Sequence, residues 1–320
     1  MSVEHNWPLA PLPWQSGQWD QLLPLVEAGR LPHALLLAGQ QGVGKQHFMQ
    51  ALAGSLLCHA PSAGTACGSC QSCALLQAGS HSDYLQLVPE EGSRVIKVDQ
   101  VRALIQFANK TPSLGPRKVI VLGPAESMNM NAANAILKCL EEPSASTTLL
   151  LYSHQPSSLP ATVRSRCQTL SLPLPAQSVA QEWLAAIVGS PEQARQLLDL
   201  ADGRPLMAQQ TYLADELESR LAIRKGLEAA LSGQLSALQF PALVTDLELA
   251  EVLEFLQSAL DRRLRQSLQA GDRSSQQAFL LRDELGRLKR SVSRGANPNR
   301  QLLLEDCVAR MASVLGDNRS

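Results

Sequence analysis

The chain has 320 residues, 45% of them apolar, enough to fill the cores of two or three domains without disulfide staples. Its 28 basic and 29 acidic side chains leave a net charge of −1, so no bulk field draws it to phosphate or anionic lipid, and contact with nucleic acid must be local or delegated. No window holds the ~18 consecutive apolar residues of a membrane span, and Pro8, Pro11 and Pro13 interrupt Met1–Trp19, so a cytoplasmic protein is expected. In a reducing compartment, seven cysteines point to metal binding or free thiols.

Short β-rich runs alternate with helical patterns through the first half, which predicts an α/β domain with a parallel sheet covered by helices. Ala34–Ala38, Tyr84–Val88, Val119–Leu122, Thr148–Tyr152 and Gln168–Leu172 read as strands apolar on both faces. Helices are expected over Val43–Leu57, Val98–Ala108 and Asn131–Leu140, the last closed by Glu141-Glu142-Pro143. Pro173 and Pro175 then separate the strand pattern from helices alone. These are read as Val179–Val188, Pro191–Leu200, Pro205–Leu231, Gln234–Leu247, Leu249–Ala270, a stretch to Ser293, and Gln301–Leu315. Gly203–Pro205 is a second hinge candidate, giving domains over 1–174, 175–210 and 211–320.

Gly39-Gln-Gln-Gly42-Val-Gly44-Lys45-Gln46 follows the first strand and opens a helix, the setting of a phosphate-binding loop. Glycines let backbone N–H groups face phosphate, and a lysine reaches the terminal phosphates. A working loop continues with Ser or Thr to ligate Mg²⁺, whereas this chain has Gln46. The acidic pair that should follow a later strand is also missing: after Lys118–Leu122 come Gly123 and Pro124, and Glu126 reads as a solvated loop carboxylate.

Cys58, Cys67, Cys70 and Cys73 place four thiols inside sixteen residues, the donor set of closed, structural zinc. Cys139, Cys167 and Cys307 read as buried apolar residues, and His59 and His81 as surface residues. Arg166, in Ser165-Arg166-Cys167, is by itself a surface salt-bridge candidate. The set Arg262, Arg263, Arg265, Arg282, Arg287, Lys289 and Arg290 reads as a solvated helix face.

The phosphate loop with its four-cysteine insertion (58–73), Asn134-Ala-Ile-Leu-Lys-Cys-Leu-Glu-Glu-Pro143, and Leu159-Pro-Ala-Thr-Val-Arg-Ser-Arg-Cys167 closely resemble the bacterial clamp-loader subunits of DNA polymerase III. The resemblance covers roughly 30–170, and Asn297-Pro-Asn-Arg-Gln-Leu-Leu-Leu304 agrees more loosely. It implies an AAA+ P-loop domain, a small helical lid and a C-terminal helical collar. Gln46, Gly123–Pro124 and Leu206, which stands where a lid arginine is expected, are three losses from one mechanism and match the delta-prime branch. For that branch the resemblance implies no ATP hydrolysis and no autonomous enzymatic activity. It also implies an Arg166 finger supplied in trans to a gamma/tau ATPase, and a delta subunit on the other side. The assembly would load a sliding clamp onto primed DNA. Lys45 is retained, so nucleotide binding through Gly39, Gly42, Gly44 and Lys45 stays open. An active ATPase of the same type is a rival, favoured by the loop glycines and Lys45. A zinc-dependent nucleic acid-binding module is another, although Cys58–Cys73 contains no Lys or Arg.

Overall fold

Ala34-Leu-Leu-Leu-Ala38 forms strand β1 (Ala34–Ala38) with all five residues buried, as an unbroken apolar run requires when helices cover both faces. It belongs to a computed structural model that describes residues 7–142, 144, 146–269, 276–293 and 295–316. The other strands are β2 (Tyr84–Leu87), β3 (Lys118–Leu122), β4 (Thr147–Ser153) and β5 (Gln168–Ser171). They make one parallel sheet in the order β2-β3-β4-β1-β5, the helix-covered parallel sheet that the sequence predicts, with Leu36 opposite Leu151 and Ile120 opposite Leu149.

Strand periodicity sends Leu35, Leu37, Val119, Val121, Leu150 and Tyr152 into one core and Leu36, Ile120, Leu122, Leu149 and Leu151 into the other. The first core is closed by α1 (Ser16–Glu27) and α2 (Lys45–Leu57), the second by α4 (Val98–Ala108) and α5 (Met130–Glu141). Between α2 and α4 lies the short α3 (Gln71–Gln77). Asn129 starts α5 by accepting the Ala132 N–H at 2.8 Å. The expectation that all five strands are apolar on both faces fails at the edges: β2 is half-buried until Leu87, and β5 is mostly exposed. Each has a single sheet neighbour, so polar positions there can reach water.

After β4 come α6 (Ala161–Arg164), α7 (Gln177–Val188), α8 (Pro191–Leu200) and α9 (Pro205–Leu213), and the first compact unit ends at Gln210. The second unit starts at Thr211 and holds α10 (Leu217–Leu231), α11 (Leu249–Gln269), α12 (Gln276–Ser293) and α13 (Arg300–Gly316). Its core joins Leu227, Phe240, Leu256, Leu285, Val308 and Met311.

Several helix boundaries differ from expectation, three of them for a visible reason. The helix expected from Val43 starts at Lys45, because Gly42 and Gly44 hold φ of 83° and 86°. The helix expected over Pro205–Leu231 is two, broken where Asp215 takes φ 56°. The expected Gln234–Leu247 helix is a 3-10 turn over Ala237–Leu243 containing Pro241, whose ring nitrogen cannot donate to a helical ladder. Pro143 and Ala270 lie outside the described residues. The basic face of the second unit is partly tied down: Arg282 bonds Asp261 at 2.6 Å and Lys289 bonds Glu254 at 2.9 Å, linking α12 to α11. Among the described residues no helix is long and apolar enough to cross a membrane.

Candidate nucleotide pocket, cysteine cluster and arginine turn

The loop Gly39–Gly44 joins β1 to α2, and its four expected phosphate-binding residues stand together. Lys45 is 2% exposed and turns back on the loop, donating to the Gly39 carbonyl at 2.8 Å and the Gln40 carbonyl at 2.5 Å. Burial lowers its pKa to about 8, with the Glu126 carboxylate opposing the drop. Neighbouring side chains cover the loop closely. A Cβ on Gly42 would stand 2.6 Å from Met207 Cγ, and one on Gly44 would stand 2.5 Å from Leu12 Cδ1 and 3.6 Å from Leu206 Cδ1. The Leu206 N–H donates to the Gly42 carbonyl at 3.0 Å. Gln15, fully buried, donates to the carbonyls of Val43 at 3.0 Å and Gly44 at 2.9 Å, and the Trp14 indole N–H adds a bond to Val43 at 3.0 Å.

Gln46 accepts a hydrogen bond from the Tyr152 hydroxyl at 3.2 Å. The Tyr152 ring lies where a side chain on Gly123 would go, 2.7 Å from an ideal Cβ at that position. Burial pushes the Tyr152 hydroxyl up to about 12, and the Glu126 charge adds to the rise. Glu126 departs from its expected solvated state. The 3-10 turn Ala125–Ser127 brings it to the end of β4, where Oε1 accepts the His154 backbone N–H at 2.8 Å and Oε2 is buried with no hydrogen-bond partner among the described residues. Nothing in the local sequence announces the Tyr152 and Gln15 contacts. The available signals are a tyrosine one residue before the end of a buried strand and a glutamine beside an apolar stretch.

Local turns gather the cysteines. Cys58 ends α2, Cys70 stands at the N-cap of α3 and Cys73 is buried in its first turn. The four sulfur atoms lie within 4.8 Å of one another, with Cys58–Cys70 and Cys67–Cys73 at 3.9 Å and Cys70–Cys73 at 3.5 Å. A tetrahedron with ~2.3 Å metal–sulfur bonds has edges of about 3.8 Å, so the group can hold a metal ion. The backbone N–H groups of Ser69 and Cys70 lower the Cys67 pKa to about 6, whereas burial raises Cys73 to about 12. His81 is not a surface residue. It is buried, accepts the Asp83 N–H on Nδ1 at 3.0 Å, and therefore donates from Nε2 to Ser72 Oγ at 2.8 Å. It braces α3 beside Cys73. Cys139 and Cys307 are buried as expected, but Cys167 is half-buried because it lies on the turn leading to the exposed edge strand.

Arg166 stands on that same turn, between α6 and β5, and its hydrogen bonds go to Glu141 and the Thr162 carbonyl rather than to the loop or the thiols.

A family model described as DNA polymerase III, delta subunit, matches residues 14–176. A DNA polymerase III subunit delta' from Pseudomonas aeruginosa is 42% identical over 95% of this chain and 98% of its own length. A DNA polymerase III subunit delta' from Yersinia pestis is 35% identical over 98% of this chain and 92% of its own. A gamma subunit-related protein from Thermotoga maritima, 19% identical, covers 93% of this chain and 99% of its own with a TM-score of 0.47. Identity of this depth along nearly the whole length places the chain in the delta-prime subunit family of DNA polymerase III, an accessory component of the clamp loader.

Proposed function

We propose that this subunit works in the clamp loader without hydrolysing ATP, and that it supplies Arg166 in trans to the ATP site of a neighbouring gamma/tau-type subunit. The observation that carries the first half is the group Gln46–Tyr152–Gly123. Metal-assisted hydrolysis needs a hydroxyl at 46 and a carboxylate at 123, yet the first position is an amide bonded to Tyr152 and the second faces its ring. Lys45 spends its ammonium on loop carbonyls, and Leu206, an apolar residue, stands beside Gly44 where a lid arginine is expected. Together these argue against the active-ATPase reading. On this account the chain has no autonomous activity, and its 1–174, 175–210 and 211–320 segments act as a degenerate AAA+ domain, a lid and a collar. Its partners are the gamma/tau and delta subunits, with the sliding clamp and primed DNA engaged through the complex in the cytoplasm.

The four cysteines are proposed to hold one structural zinc, since the convergent all-sulfur set leaves no position for substrate. When bound, the ion would link the end of α2 to the start of α3. The nucleic acid-binding alternative lacks basic residues in Cys58–Cys73.

The test is reconstitution of the loader with Arg166→Ala. An arginine finger contributes about 10³–10⁵ in rate where it acts at full strength. Clamp- and DNA-stimulated ATPase and clamp loading should fall while folding and zinc content stay normal. Arg166→Lys should rescue poorly, because an ammonium lacks the planar fork. Normal loading by correctly assembled Arg166→Ala complexes would sink the reading.

A further inference from the structure

The Arg166 guanidinium is held within its own subunit. Nε donates to Glu141 Oε1 at 2.7 Å, Nη2 reaches the same oxygen, and Nη1 donates to the Thr162 carbonyl at 2.8 Å. A guanidinium has five N–H donors, so these three contacts leave two. Glu141 takes the edge formed by Nε and Nη2. The remaining donors belong to the terminal nitrogens, the pair that can face two oxygens of one phosphate group.

The two partners ride on different supports. Glu141 is the last residue of α5, a helix fixed by the buried side chains of Ala132, Ala133, Ile136, Cys139 and Leu140. Arg166 sits on a turn beside an exposed edge strand, with its side chain 33% exposed. A long cation on such a turn would otherwise sample many rotamers, and ordering it at the moment of reaction costs entropy. Glu141 is 47% exposed, so the pair adds little to folding, and its geometry matters more than its stability.

We propose that Glu141 is a positioning residue for Arg166: it holds the guanidinium by its inner edge and leaves the outer fork presented to the phosphate of a neighbouring subunit's nucleotide. The proposal rests on Arg166 acting in trans. A sequestering role for Glu141 predicts the opposite sign, because freeing the arginine would then raise the rate.

The test is a double-mutant cycle in the full loader with gamma/tau-type ATPase, delta, sliding clamp and primed DNA. Variants are Glu141→Gln, Arg166→Ala and the pair, read as kcat and KM for ATP. Glu141→Gln should lower kcat by roughly 10-fold, within the ~10²-fold that misplacement of a reacting group can cost, with KM little changed. Glu141→Asp should restore part of the loss. In the Arg166→Ala background Glu141→Gln should have no further effect, a non-additivity that a merely structural role would not produce. Circular dichroism and complex assembly should be unaltered. A normal or raised kcat for Glu141→Gln, or an additive loss in the pair, overturns the positioning role while leaving a low Arg166→Ala rate, and with it the finger, intact. A normal rate for Arg166→Ala removes the finger and the positioning role together.

Discussion

At the start of α2 the chain turns its polar groups on itself, whereas at the end of the same helix it collects four thiols that converge on one point. Ten of the helix's 13 residues are buried, so its place is set by packing against the sheet and depends on neither end's chemistry. A helix N-terminus is a ready anion site, with unpaired N–H groups and a favourable dipole. Here Leu12, Gln15, Leu206 and Met207 crowd it. The cysteine end depends on short turns and loses its purpose if one ligand goes. A buried helix can therefore keep its place whatever groups stand at its N-terminus, while four thiols can hold a metal ion only as a complete set.

Metal removal gives the largest expected effect. Protein purified without added metal should carry one equivalent of zinc, and Cys58→Ser or Cys73→Ser should reduce this to near zero by elemental analysis. With free zinc at about 1,000 times its Kd, linkage amounts to about 4 kcal/mol of stabilisation, so a strong chelator should lower Tm by several degrees. Less than half an equivalent in the native protein would break the contrast between the two ends.

Lys45 sharpens the other side of that contrast. Its folded pKa, about 8, lies below the ordinary 10.5, so the folded state binds fewer protons than the unfolded state between those values, and stability should rise with pH across that window. At about 1.4 kcal/mol per unit the span is about 3 kcal/mol, present as a penalty below pH 8 and relieved above 10.5. Lys45→Met should remove this slope, measured as the difference between wild-type and variant denaturation midpoints, against a background of tyrosines and cysteines that weaken the fold at high pH. Parallel pH profiles would mean that the ammonium is better solvated than its burial indicates.

Restoring the missing acid should have the smallest effect on stability and none on turnover. Gly123→Asp brings a Cβ to 2.7 Å from the Tyr152 ring, an overpacking worth about 1–3 kcal/mol. Gln46→Thr with Gly123→Asp should melt lower and still show no ATPase activity in the isolated chain. Turnover gained by these two changes alone would show that the neighbouring side chains, rather than the missing groups, had been innocent.

Much of the fold was legible because its signals are local. β1, α4 and α8 begin and end where the apolar pattern and Pro191 put them. The break between α9 and α10 was not, since Leu213-Ala214-Asp215-Glu216 contains no glycine or proline to mark it. Edge strands could not be told from central ones, because strand order is a tertiary property. For the sites, the structure brings together the four thiols that their spacing grouped, and Lys45 bonds the loop carbonyls of Gly39 and Gln40. Glu126, Tyr152 and Glu141 escaped because their partners lie 25 or more residues away, at His154, Gln46 and Arg166. Whether a surface arginine is idle or held ready depends on such distant contacts.

The two edges of the sheet bear on how the free subunit behaves. An open edge offers unpaired backbone donors and acceptors to any other extended chain, and long, flat, apolar edges nucleate aggregates. β2 and β5 have four residues each, β5 exposes Gln168, Thr169 and Ser171, and Pro173 follows shortly after. Both borders are brief and that of β5 is polar, which makes the β5 edge a poor template for edge-to-edge association.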